Sequence, residues 1–435
     1  MSIRAILSNS SWLLSEKTIR LAVSMLLNVW IARHLAPSGL GALATAQSIA
    51  LILFPLASFA LDGVLIRDLA RRPEIARILI NRALAIRVAG GLLTTLLGVI
   101  VLGFLAPELS GPSRTASIVV LSLGLVNMGE VIETWFLSRL RSAEIVPLRL
   151  AAFALASAAR VTVLAGDLGL TWIALSLLVE PALTSLLLFF KACRQIPPTP
   201  DKSSVPGTAY LLREATPLML SLLAYQVYTR IDQALVMKRL GATEAGLYAV
   251  STRIIELPMM LSGVLAMSLF PYLARTAEDD PRAALEHYRP WIAAASLASW
   301  LGLALLFFFG EWFAGAVFGA HYAAAGHLAF LRGLGLVFFI NGFLNSTFIT
   351  NHGLQRILPW NSALGALCSI PLALLGMRWL GLEGVALAWA FSQCLVLFAL
   401  NFCWPALRPL ARLQAGALVG RGINWHQLFK GRTSC

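Results

Sequence analysis

Charge is scarce in this chain. Asp, Glu, Lys and Arg make up 13% of its 435 residues, against 58% hydrophobic residues. Polar surface in that proportion cannot cover a water-soluble globule, so a freely soluble domain is excluded. Cysteine is scarce too. Cys193, Cys368, Cys394, Cys403 and Cys435 have no paired metal-ligand spacing and fall in apolar or cytoplasm-facing segments, which argues against disulfides and zinc alike. The histidines show no ligand spacing either. No connecting segment is long enough to fold alone, and basic residues nowhere gather on a soluble domain with interleaved aromatics. Neither a cofactor nor a nucleic-acid partner is therefore expected.

Apolar length is what remains. Mean hydropathy is +0.77, and a bilayer-spanning helix needs about 20 mostly apolar residues. Such segments fall at about 11–34, 39–62, 84–106, 115–138, 146–166, 168–190, 214–237, 246–274, 290–310, 326–350, 358–380 and 383–404. The first is structural rather than a cleaved signal peptide, because it contains Glu16, Lys17 and Arg20. The expected fold is an all-α integral membrane protein of about twelve helices. Residues 1–190 form one six-helix half, 191–213 a proline-rich polar linker and 214–404 the second half. A basic tail of little periodicity, 405–435, follows.

The halves echo each other. Arg33-His34-Leu35-Ala36-Pro37-Ser38-Gly39-Leu40-Gly41 returns as Lys238-Arg239-Leu240-Gly241-Ala242-Thr243-Glu244-Ala245-Gly246. Leu168-Gly169-Leu170 with Ala174-Leu175 returns as Leu380-Gly381-Leu382 with Ala386-Leu387. Internal repeats in a multi-span chain mark secondary transporters. Six helices per half make the repeat parallel, pseudo-symmetric about a central cavity that opens alternately to either side. Arg67, Arg71, Arg72, Arg77 and Arg82, then Arg139, Arg141 and Arg149, then Lys191 and Arg194, fall on one side of the membrane. By the positive-inside rule both termini are cytoplasmic, and the net charge of +13 reflects this asymmetry and attraction to anionic membrane lipids.

Charge inside hydrocarbon is costly and usually faces a bundle interior or aqueous cavity. Glu16, Arg20, Ser24 and Asn28 step by four along the first helix, with Lys17 beside them. Gln226, Arg230 and Gln233 repeat the device in the seventh helix, with Asp232 on another face. Arg253 and Glu256, Asn127 and Glu130, Asn341 and Asn345, and the isolated Arg160 and Arg332 complete the set. Glu16 with Arg20, and Arg253 with Glu256, are also spaced to neutralise each other, while Lys17 and Arg20 are placed to reach the headgroups. Inward-facing arginines would suit a diphosphate, since guanidinium forks two donors onto phosphate oxygens. The cavity candidates are thus Arg20, Arg253, Arg230, Lys17, Asn28, Gln226, Asn341, Asn345 and Arg332, with Glu16, Asp62, Glu130 and Asp232 as candidates for ion coupling.

The stretch from Asn9 to Ala50 followed by Leu61-Asp62-Gly63-Val64-Leu65-Ile66-Arg67-Asp68-Leu69-Ala70, and the mid-chain Tyr228-Thr229-Arg230-Ile231-Asp232-Gln233, resemble the polysaccharide-biosynthesis (Wzx-type) oligosaccharide flippases. These belong to the multidrug/oligosaccharidyl-lipid/polysaccharide exporter superfamily. The resemblance implies a non-enzymatic carrier in the bacterial inner membrane. Its substrate would be an undecaprenyl-diphosphate-linked oligosaccharide, moved from the cytoplasmic to the periplasmic leaflet for lipopolysaccharide O-antigen or exopolysaccharide, alongside polysaccharide polymerase machinery. By position, Arg20 and Arg253 best match the family's cavity cations. Twelve helices depart from the fourteen usual of lipid II flippases. A drug or metabolite antiporter would need an acidic, aromatic-lined cavity. A membrane enzyme such as a ligase or polymerase would need a large loop carrying catalytic residues.

Overall fold

The computed structural model describes residues 3–196, 206–279 and 284–420, as backbone alone for 3–15 and for most of 261–284. Within them the chain is almost wholly helical and contains no strand. It packs as two compact units, Met1–Gln226 with Met237–Gly246, and Val227–Val236 with Leu247–Cys435. Residues 197–205 of the linker and 421–435 of the tail lie outside the described residues.

The first unit holds α1 (Ile3–His34), α2 (Pro37–Ser58), α3 (Asp62–Arg71), α4 (Ala76–Leu105), α5 (Gly111–Leu121), α6 (Leu123–Val126), α7 (Gly129–Ser138), α8 (Ser142–Ala165) and α9 (Leu170–Gln195). Next come α10 (Thr208–Leu240), divided between the units, and α11 (Ala242–Asp279), which begins in the first. The second unit continues through α12 (Ala284–Phe318), α13 (Ala324–Asn351), α14 (Ile357–Leu397) and α15 (Arg408–Leu418). Among the described residues eight helical segments are long and apolar enough to cross a bilayer. Three more, α1, α10 and α11, are as long but bring charge into their spans: Glu16 and Arg20, Arg230 and Asp232, Arg253 and Glu256. α14 is two arms joined at Gly381, whose φ of +59° breaks the helix. Counting both arms gives the twelve spans expected.

The repeat has a conformational basis. Gly169, which opens α9, and Gly381, its echo, both take positive φ, +82° and +59°, a region an L side chain enters only with strain. The first motif is also in contact with its copy within the first unit. A side chain on Gly41 would collide with the carbonyl oxygen of Ala242, and one on Gly246 would collide with that of Pro37.

Two sequence expectations change. The fourth span is not one rod but α5, α6 and α7, turning at Ser122 and again at Asn127, outside helical geometry at φ −81° and ψ 43°. The tail has more periodicity than its sequence advertises. Arg408–Leu418 folds as α15, with Leu410 and the preceding Leu407 fully buried in one core with Tyr288, Ile292 and Phe348. Eleven residues, with Arg408, Arg412 and Gln414 among them, are too few for a hydropathy window.

α3 was also invisible as a separate element. It follows a helix break at Phe59 and Ala60, both with positive φ, and drives Leu65 and Leu69 into a core with Leu79, Trp135, Phe136 and Leu211. On the outside, Leu92, Leu96, Ile100 and Phe104 of α4 and Phe307, Phe308 and Trp312 of α12 are exposed, which is stable only against lipid.

Candidate functional site: two unequal charge clusters

Each unit carries a cluster of buried and half-buried charge. In the first, Glu16 of α1 is 1% exposed and forms ion pairs with Arg20 at 3.6 Å and Arg149 of α8 at 2.9 Å. Arg149 also reaches Glu133 of α7 at 2.5 Å, and Arg20 pairs with Glu180 of α9 while lying over the Phe153 ring at 5.1 Å. Three carboxylates therefore share two guanidiniums. Removing either guanidinium strands a carboxylate away from water, which sets a strong geometric constraint on α1, α7, α8 and α9.

A second group in this unit joins Arg87 of α4 to Glu130, with Arg87 also donating to the Asn127 carbonyl at 3.2 Å and lying over Phe54 at 5.2 Å. Asn127 Nδ2 donates to Glu130 at 2.5 Å. The turn at Asn127 thus turns its own carbonyl and side chain toward this pair. Asp62 is exposed at the first turn of α3, Lys17 is exposed, and Asn28 is half-buried. Gln226 Nε2 donates to the Leu51 carbonyl at 3.0 Å.

The second unit has the opposite balance. Glu256 of α11 accepts from Arg253 at 2.9 Å and from Arg230 of α10 at 3.4 Å. Two guanidiniums share one carboxylate here, and their side chains are 37% and 30% exposed. A guanidinium pair with one carboxylate between them keeps a net positive field.

The second unit also holds a closed pair. Arg332 of α13 is 2% exposed, donates to Asp232 at 3.3 Å, and is flanked by the rings of Tyr248 at 4.4 Å and Trp389 at 4.6 Å. Asp232 also accepts from the Tyr248 hydroxyl and, at 2.9 Å, from the Gln233 amide. Asn341 donates to Ser296 at 3.1 Å, and Asn345 donates to the Leu397 carbonyl at 2.7 Å while accepting from Gln414 of α15. Both asparagines are over nine-tenths buried, so they tie α13 to its neighbours.

The structure therefore brings Arg230 and Arg253 together, and Glu16 with Arg20. It separates Asp232 and Arg332 into a buried neutral pair. Arg87 carried no signal in the sequence, and Arg149, counted there among the cytoplasm-side arginines, gave no sign of its ion pairs with Glu16 and Glu133. Local spacing reveals partners three or four residues apart; Arg149 meets Glu16 only through tertiary packing.

Helices of this length and apolar lipid-facing flanks define a polytopic membrane protein with charge clusters in its interior. The fold resembles that of a multidrug resistance MATE family transporter of the MOP superfamily in its inward-facing conformation, with a TM-score of 0.69 and 16% identity over 91% of this chain and 96% of the other. It also resembles the lipid II flippase MurJ, inward closed, with a TM-score of 0.64 and 15% identity over 93% and 90%. A MOP superfamily transporter from Pyrococcus furiosus, described as having a binding pocket of reverse polarity, gives a TM-score of 0.62 at 14% identity over 94% and 96%. No curated protein matches by sequence. A family model described as polysaccharide biosynthesis protein matches residues 6–277, and the chain belongs to that family.

Proposed function

We propose that this protein is a flippase that carries an undecaprenyl-diphosphate-linked oligosaccharide from the cytoplasmic to the periplasmic leaflet of the bacterial inner membrane, for O-antigen or exopolysaccharide assembly. The observation that carries this reading is the Arg230–Glu256–Arg253 arrangement, two accessible guanidiniums over one carboxylate. Such a pair recognises a multiply charged diphosphate better than a cationic drug, whose charge it repels. The glycan and diphosphate travel through a central cavity by alternating access, while the isoprenoid stays in lipid. A hydrated sugar cannot cross hydrocarbon unaided, and the tail need never leave it.

In this account Arg253 and Arg230 are the primary diphosphate ligands. Arg20, held between Glu16 and Glu180, belongs with the coupling ion. The acid-rich cluster of the first unit suits a proton or a sodium ion, with Glu16 the central carboxylate and Asp62 and Glu130 the outlying ones. Lys17, Asn28 and Gln226 are the polar positions left for glycan or headgroup contact. No bond is made or broken in the cycle. Both termini are cytoplasmic, and a polysaccharide polymerase receives the flipped product.

Deletion of the gene in its native host tests the reading. Accumulation of a complete lipid-linked repeat unit on the cytoplasmic side, with loss of surface polysaccharide, is the expected result. Loss of the sugar units themselves would point to synthesis instead.

A further inference from the structure

A second binding site lies away from both charge clusters, where the end of α3 meets the start of α10. A cavity of about 270 Å³ opens there, lined by Asp68, Arg71, Arg72, Ile75, Pro206 and Tyr210. Its floor is fixed, because Leu65 and Leu69 on the inner face of α3 are fully buried against Leu211 of α10.

The polar groups divide by role. Asp68 is 9% exposed. One carboxylate oxygen accepts from Arg67 Nε at 2.9 Å, while the other, Oδ2, is buried with no hydrogen-bond partner among the described residues. The Tyr210 hydroxyl accepts from Arg67 Nη2 at 2.8 Å, which leaves its own proton to donate. Arg67 is occupied further by Glu214 at 3.1 Å. Arg71 and Arg72 are exposed at the rim, with no ion-pair partner among the described residues. The cavity is thus lined by positive charge and a hydroxyl donor, and its wall includes Asp68, whose second carboxylate oxygen is an unsatisfied acceptor just beneath the surface. An unpaired buried carboxylate oxygen is costly unless a ligand donor meets it.

We infer that this cavity binds a phosphodiester headgroup that carries its own hydrogen-bond donor, an ammonium or hydroxyl group, with Arg71, Arg72 and Tyr210 on the phosphate and Asp68 Oδ2 on the donor. Phosphatidylethanolamine and phosphatidylglycerol have this chemistry. Phosphatidylcholine has the phosphate but no N–H or O–H to give. Basic pockets beside membrane helices are where anionic headgroups settle, and the position suits a structural lipid that holds α3 against α10. The inference is independent of the flippase reading, since none of these residues belongs to the Arg230–Glu256–Arg253 site.

The test is lipid retention by the purified full-length protein, measured by native mass spectrometry with the three phospholipids at matched acyl chains. Wild type is expected to retain phosphatidylethanolamine and phosphatidylglycerol about tenfold over phosphatidylcholine, the scale of one hydrogen bond to a charged group. Asp68→Asn should erase that preference, because the amide oxygen stays with Arg67 and its NH2 puts a donor where Oδ2 accepts. Arg71→Ala/Arg72→Ala should weaken retention of all three. Adding soluble glycerophosphoethanolamine identifies the source: displacement of bound lipid means that a free phosphodiester suffices, and no displacement means that the lipid is required. Equal retention of the three lipids by wild type, a comparison needing no variant, would overturn the assignment. So would an undiminished preference in folded Asp68→Asn.

Discussion

Gly41 and Gly246 occupy equivalent places in the repeated motif, and each is pressed against the backbone of the other copy. A side chain on Gly41 would strike the Ala242 carbonyl, and one on Gly246 the Pro37 carbonyl; Pro37 and Ala242 are themselves equivalent positions. The contact is reciprocal, as an isologous contact must be. The duplication read from sequence is thus also a contact in three dimensions, between the start of α2 and the start of α11.

That contact predicts an asymmetry among glycines. Gly41→Ala and Gly246→Ala should each lower stability by about 1–3 kcal/mol, the usual cost of overpacking, because the obstacle is backbone and cannot rotate away. Gly63→Ala, which meets nothing within 4 Å, should be near neutral. Thermal unfolding of the purified variants in one detergent checks this.

The Asp232–Arg332 pair should behave as structure. Removing one partner, as in Arg332→Met, strands a charge and should cost about 3–5 kcal/mol, whereas Asp232→Asn/Arg332→Met should recover much of the loss. Protein abundance in the membrane and thermal stability are the readouts. Full stability of Arg332→Met would show that the pair is not a constraint.

The first-unit cluster makes a different prediction. Because Arg149 alone among the described residues reaches Glu133 and shares Glu16 with Arg20, Arg149→Ala strands a carboxylate on α7, whereas Glu16→Gln leaves Arg149 with Glu133 and Arg20 with Glu180. Arg149→Ala should therefore impair folding at least as much as Arg20→Ala, although sequence placed only Arg20 in the cavity. Comparing membrane yields of the two single variants decides it. A normal yield of Arg149→Ala would count against the shared network.

Legibility in the sequence followed the range of each interaction. Hydropathy located the spans, and the four-residue step found Glu16 with Arg20 and the three-residue step Arg253 with Glu256, because those signals are local. Glu180 and Arg149 compete for the same charges from other helices, and nothing in their spacing says so. α3 and α15 escaped because short amphipathic helices draw their stability from the core they cover, Leu211 in one case and Tyr288 and Phe348 in the other. Asn341 and Asn345 were assigned to the cavity by type and stripe. Their burial between helices depended on which side of α13 its neighbours occupy.

The arginine distribution also predicts the sidedness of the chain. Single cysteines at Arg72 and Ser38, in a background without the native thiols, should label from the cytoplasmic and periplasmic faces respectively. Labelling of both from one side would remove the hairpin of the first two spans.

The central claim is that Arg230 and Arg253 hold the diphosphate of a lipid-linked sugar while it crosses. The most direct measurement is transfer of an undecaprenyl-diphosphate-linked oligosaccharide across proteoliposomes, read by its accessibility to an added glycosidase. Wild type should expose the outer pool over time. Arg253→Ala should stop transfer in a protein of normal abundance, and Arg253→Lys should restore it only in part, since an ammonium cannot reproduce the bidentate fork. Full transfer by Arg253→Ala/Glu256→Ala would contradict the claim, because it would mean that the arginine serves only to neutralise its own carboxylate.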